Sequence, residues 1–91
     1  MSKFDYDVSE VLIEIKDLLV SKNKKYGNSA LEPLGVFSQL SPEEGLFVRI
    51  DDKLKRIKNG SLKKDDEDVI KDLIGYLVLL KILTRKKSEL E

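Results

Sequence analysis

Between Val69 and Leu83 the chain is apolar almost all the way round a helical wheel. Leu73, Ile74, Tyr76, Leu77, Val78, Leu79, Leu80, Ile82 and Leu83 are broken by only three charges, Lys71, Asp72 and Lys81. A helix with apolar residues on every side is normally buried on every side. Whatever else the chain forms must therefore surround this segment. The stretch is too short to span a bilayer, so it reads as the centre of a helical bundle. Ninety-one residues allow one domain, one that buries roughly 64% of its unfolded surface on folding. Three helices of this length cover only part of such a segment. The sequence thus predicts a homo-oligomer assembled through the third helix, most simply a symmetric dimer. The rival is that residues 29–40 fold over it within one chain.

The remaining helices follow from spacing. Val8, Val11, Leu12, Ile15, Leu18 and Leu19 recur at three and four, predicting a helix over residues 7–23. Asp7, Glu10, Glu14 and Asp17 line another face, which reads as solvated. Gly27 and Asn28 are turn formers that tolerate positive φ. Residues 29–40 contain Pro33 and Gly35 and read as a loop. Its apolar members, Leu31, Leu34, Val36, Phe37 and Leu40, are expected to pack onto the core. Ser41-Pro42-Glu43-Glu44 is a helix start: Ser41 as N-cap, Pro42 at the first position, Glu44 placed to reach back. This second helix runs over 42–58 with Leu46, Phe47, Ile50, Leu54 and Ile57 as its core stripe, and Asn59-Gly60 ends it. The acidic cluster Asp65–Asp68 suits the N-terminus of a third helix over 65–87, and Arg85, Lys86 and Lys87 suit its C-terminus. The expected architecture is all-α: a small antiparallel three-helix bundle, completed by oligomerisation.

Missing residue types exclude much chemistry. There is no Cys and no His. That removes thiolate nucleophiles, zinc knuckles and the commonest general base. Acid–base or metal chemistry would fall to Asp, Glu, Lys or Tyr, and carboxylates select hard cations such as Mg²⁺. Seventeen basic side chains balance seventeen acidic ones, so generic nucleic-acid binding is not expected and any phosphate site is a local patch. The polar N-terminus MSKFDYD has no apolar signal core. The chain reads as cytoplasmic, with no membrane partner.

Two polar stripes stand out. Arg49, Asp52, Lys53 and Arg56 share one face of the second helix by spacing, and three cations so placed suit phosphate, Arg offering bidentate contacts. Asp65, Asp68, Asp72 and Tyr76 share a face of the third. Asp68 and Asp72, one turn apart, suit a divalent cation, with Asp52 as a third ligand. The plainer alternative is that the two stripes meet as interhelical salt bridges, worth little each when exposed.

Three blocks carry a resemblance: Lys22-x-x-Lys25-Tyr26-Gly27-Asn28-Ser29; Val48-Arg49-Ile50-Asp51-Asp52-Lys53-Leu54-x-Arg56; and Asp68-x-x-x-Asp72-Leu73-x-Gly75-Tyr76. In order, over roughly residues 20 to 80, they resemble the nucleotide modification associated domain family common in phages. That family is distantly similar to the all-α NTP pyrophosphatases, the MazG and all-α dUTPase group. Those enzymes hold Mg²⁺ with an E-E-x-x-E motif on one helix and E-x-x-D on the next, and release pyrophosphate from nucleoside triphosphates. Here the nearest counterpart of the first motif is Asp51-Asp52-Lys53-Leu54-Lys55, with a lysine as its third acid. The second would be Asp65-x-x-Asp68, after a shortened gap. The resemblance implies a nucleotide or similar phosphate ligand bound without turnover, for example a phage protein that evades host immunity by sequestering a signalling nucleotide. Arg49, Lys53 and Arg56 would hold phosphates, and Lys25, Tyr26, Asn28 and Tyr76 would complete the ligand site. Asp52, Asp68 and Asp72 would hold Mg²⁺ or orient the cations. An Mg²⁺-dependent pyrophosphatase-like enzyme and a helical protein–protein interaction module remain the alternatives.

Overall fold

The computed structural model describes the backbone of residues 2–36, 38–60, 63–64 and 67–90, with the side chains of all these but 63, 64, 67 and 88–90. Three helices dominate: α1 (Lys3–Tyr26), α2 (Pro42–Lys58) and α3 (Val69–Leu90). A two-residue antiparallel ladder precedes α3, pairing Lys63 with Asp68 and Lys64 with Glu67. The all-α class is as expected. No described helix is long and apolar enough to cross a membrane.

Helix α1 starts earlier than its apolar stripe suggests, because Ser2 and Asp5 form a reciprocal capping box. It ends at Gly27, and both Gly27 and Asn28 take φ of 63°. Helix α2 has the expected bounds. The Ser41 hydroxyl accepts from the Glu44 N–H at 3.1 Å, and Asn59 with Gly60 (φ 84°) terminates it. The cap is one-sided: among the described residues the Glu44 carboxylate makes no return hydrogen bond to Ser41. The neighbouring Glu43 reaches Lys87 instead, at 3.2 Å.

Helix α3 begins at Val69, later than expected. Glu67 and Asp68 belong to the small ladder, and Asp68 caps the helix by accepting from the Lys71 N–H at 3.0 Å. Asp65 and Asp66 lie outside the described residues. Helices α2 and α3 run antiparallel, since Glu43 meets Lys87 at one end and Lys53 meets Asp72 at the other. The α2–α3 seam is the more extensive; α1 leans on α3 through its second half.

The core is small. Among the described residues the buried apolar ones are Ile15, Leu46, Val69 and Leu83. Two expectations fail here. Most of the loop's apolar residues do not pack inward: Leu31 is half-buried, but Leu34 is 87% exposed, and Val36 and Leu40 are exposed too. Phe37 lies outside the described residues. On α2 the inward row is Leu46, Ile50, Lys53 and Ile57, while Phe47 and Leu54 sit exposed at its edges. A lysine can occupy that row because Asp72 supplies its counter-charge from α3.

Two outcomes test these end contacts. Ser41→Ala should lower stability by about 1 kcal/mol, read by urea denaturation. The Glu43 carboxyl is held below its ordinary value of 4.5, first by its own backbone N–H and then by Lys87 and Ser41. A group with a depressed folded pKa stabilises fully above its unfolded value and loses that contribution as pH falls through the folded one. Glu43→Gln should therefore flatten the fall in melting temperature below pH 4.5 relative to the parent.

Candidate functional site

A cleft of about 380 Å³ opens where the end of α1, the following turn, the middle of α2 and the first turns of α3 meet. Its volume is that of a small-molecule site. Each wall follows from a local rule. Leu18, Leu19, Lys22, Asn23 and Tyr26 reach it because α1 keeps one face towards α3 at helical spacing. The left-handed pair Gly27-Asn28 folds the chain back and brings in Ser29 and Ala30. Arg49 comes from α2, and Asp72, Gly75, Tyr76 and Leu79 from one face of α3.

Gly75 lets α1 and α3 approach. A β-carbon there would lie 3.2 Å from Leu19 Cδ2, closer than ordinary van der Waals contact. At the same level the Asp72 carboxylate joins all three helices. Its Oδ1 is 3.6 Å from Lys22 Nζ of α1, and its Oδ2 is 3.4 Å from Lys53 Nζ of α2. Lys53 is only 7% exposed. Arg49 differs from these lysines: it is exposed at the cleft wall and makes no ion pair among the described residues. The cleft thus combines an apolar lining, two phenol rings and a cation open to an incoming anion.

Of the ligand residues expected from the sequence, Tyr26, Arg49 and Tyr76 converge here. Lys53 turns inward to Asp72, Arg56 pairs along α2 with Asp52 at 3.4 Å, and Lys25 lies over the Tyr26 ring at 5.4 Å. None of these, nor Asn28, lines the cleft. The expected Arg49/Lys53/Arg56 cluster is therefore split, because an unpaired lysine facing α3 would be costly to bury and Asp72 draws it in. Asp52, Asp68 and Asp72 are not brought together. Among the described residues no three carboxylates converge on a metal-sized site. Asp52 pairs on the surface, Asp68 caps α3, and Asp72 is held by two lysines. These donors do not form the expected Mg²⁺ site.

Lys22, Asn23, Ser29 and Gly75 were not singled out as ligand residues. Two signals were present. Lys22 continues the row Val8, Val11, Ile15, Leu18, and an isolated glycine in an apolar helix marks close approach.

In comparisons with known proteins, no family model, no curated protein and no solved structure matches the chain.

The two carboxylates should separate cleanly in mutants. Asp72→Ala removes a carboxylate that a buried lysine and Lys22 both hold, and should cost about 2 kcal/mol by chemical denaturation. Asp52→Ala breaks an exposed pair and should change stability by less than about 0.5 kcal/mol.

Proposed function

We propose that the chain binds a nucleotide, or a closely similar phosphate-bearing small molecule, in the cleft between Tyr26, Arg49 and Tyr76, and that it binds without turning the ligand over. The observation that carries this reading is the pairing of chemistries. Two phenol rings offer stacking surface for a base, worth about 1–3 kcal/mol per stacked base. Arg49, without an ion pair among the described residues, offers the planar donor fork that suits a phosphate. Lys22 adds a second positive charge at the wall, and Asn23 and Ser29 add polar groups beside it.

Binding without turnover is supported by the acids. Among the described residues Asp72 is the carboxylate at the cleft wall, and two lysines already hold it. A hydrolytic enzyme of the all-α pyrophosphatase type needs several oxygen ligands converging on a metal ion. The resemblance to phage nucleotide-associated domains points to the same ligand class. A protein that sequesters a nucleotide in the cytoplasm of a phage's host fits this reading.

A thermal-shift screen of nucleotides, with and without Mg²⁺, tests it. At ten times Kd a ligand should add about 1.4 kcal/mol, a rise of several degrees for a domain this size. Arg49→Ala should weaken the best ligand at least tenfold while leaving the unliganded melting temperature within a degree or two. No pyrophosphate should be released in the presence of Mg²⁺. A panel without any shift would refute the reading, and steady turnover would replace it with the enzymatic one.

A further inference from the structure

The chain exposes more surface than a monomer of its mass should. Its accessible area is 7340 Å², against about 5,400 Å² expected for a folded 10.4 kDa monomer. Its radius of gyration is 14.8 Å, against about 12 Å expected for 91 residues. The area excess, near 1,900 Å², is more than the about 800 Å² per partner that a stable interface needs.

Two helix faces expose apolar side chains. On α1 the residues Phe4, Val8, Val11, Ile15, Leu18 and Lys22 alternate in steps of four and three, the spacing of a helix–helix seam. Leu18 and Ile15 are covered in part or fully by their own chain, but Phe4, Val8, Val11 and the adjacent Leu12 are exposed, Phe4 by 74%. On α3 the row Ile70, Ile74, Leu77 lies on the side away from Asp72 and Tyr76, and Ile70 and Leu77 are exposed. Neither can cover the other within one chain, because α1 already occupies the opposite side of α3 at Gly75.

The charges around these faces are complementary. From Lys3 to Asp17, α1 carries five carboxylates and two lysines. From Val69 to Lys87, α3 carries five cations, of which Lys87 is held by Glu43 of α2, and one carboxylate, Asp72, which is turned to the cleft. Glu14 beside the α1 seam, and Lys81 and Arg85 on the outer side of α3, are exposed and make no ion pair among the described residues. An acidic amphipathic segment is repelled by anionic lipid headgroups, whereas the outer face of α3 suits it in both charge and apolarity.

We propose that the occupant is a second copy of this chain, with the first half of each α1 laid along the outer face of the partner's α3 about a two-fold axis. This closes both exposed faces at once, as an isologous dimer requires. In this arrangement α3 supplies one half of the interface and α1 the other.

Charge reversal tests the pairing. In sedimentation velocity from 1 to 100 µM the parent should run at twice 10.4 kDa. Asp7→Lys with Glu14→Lys should shift it towards monomer at least tenfold in Kd, and so should Lys81→Glu with Arg85→Glu. All four together should restore the dimer, because the complementary signs are exchanged. Circular dichroism checks that each variant keeps its helix content, and Leu34→Glu, on the exposed loop, should leave the mass unchanged. A parent that stays at 10.4 kDa, or a helical fourfold variant that stays monomeric when both pairs of reversals dissociate, overturns the proposal.

Discussion

Three helices meet at the carboxylate of Asp72. It draws Lys53 of α2 into the bundle, touches Lys22 of α1, and sits on α3 one turn before Gly75, where α1 and α3 come closest. With four buried apolar side chains among the described residues, the helices have little apolar burial to define how they face one another. A buried charge needs a partner within a few ångströms and tolerates no slip of register. The ion pair lies on the face of α2 that Leu46 also turns inward, and Arg49, one turn before Lys53, stands at the cleft wall.

Much of the helical framework was legible because its signals are local. Ser41-Pro42 fixed the start of α2, and Gly27 and Gly60 marked chain reversals at positive φ. The termini of α1 and α3 differ from the expected ones, since apolar periodicity does not register a capping box such as Ser2–Asp5, and an acidic residue such as Asp68 caps a helix without belonging to it. The inward row of α2 was misread for a different reason. Hydrophobicity favours Leu54 over Lys53, and a tertiary partner such as Asp72 reverses that order. The loop's apolar residues carry no periodicity, so nothing in the sequence distinguished packing inward from lying exposed.

The site was half legible. Tyr26, Arg49 and Tyr76 lie in three separate blocks of sequence, and the fold brings them to one cleft. Arg49, Lys53 and Arg56 share a face by spacing alone, but the three cations meet different fates: Arg49 is open at the cleft wall, Lys53 is buried against Asp72, and Arg56 pairs with Asp52. Spacing on a helix states which side chains are neighbours. It does not state which of them the opposing helix will claim.

The central claim is that the cleft takes a phosphate-bearing aromatic ligand. Titrating the nucleotide of highest affinity into ¹⁵N-labelled protein and following amide shifts tests it most directly. The account predicts saturable shifts at Lys22, Tyr26, Ser29, Arg49 and Tyr76, with the exposed loop around Leu34 unmoved. Shifts confined to the basic end of α3, at Arg85 to Lys87, would contradict it, because the phosphate would then be held by surface charge and the cleft would have no part in binding.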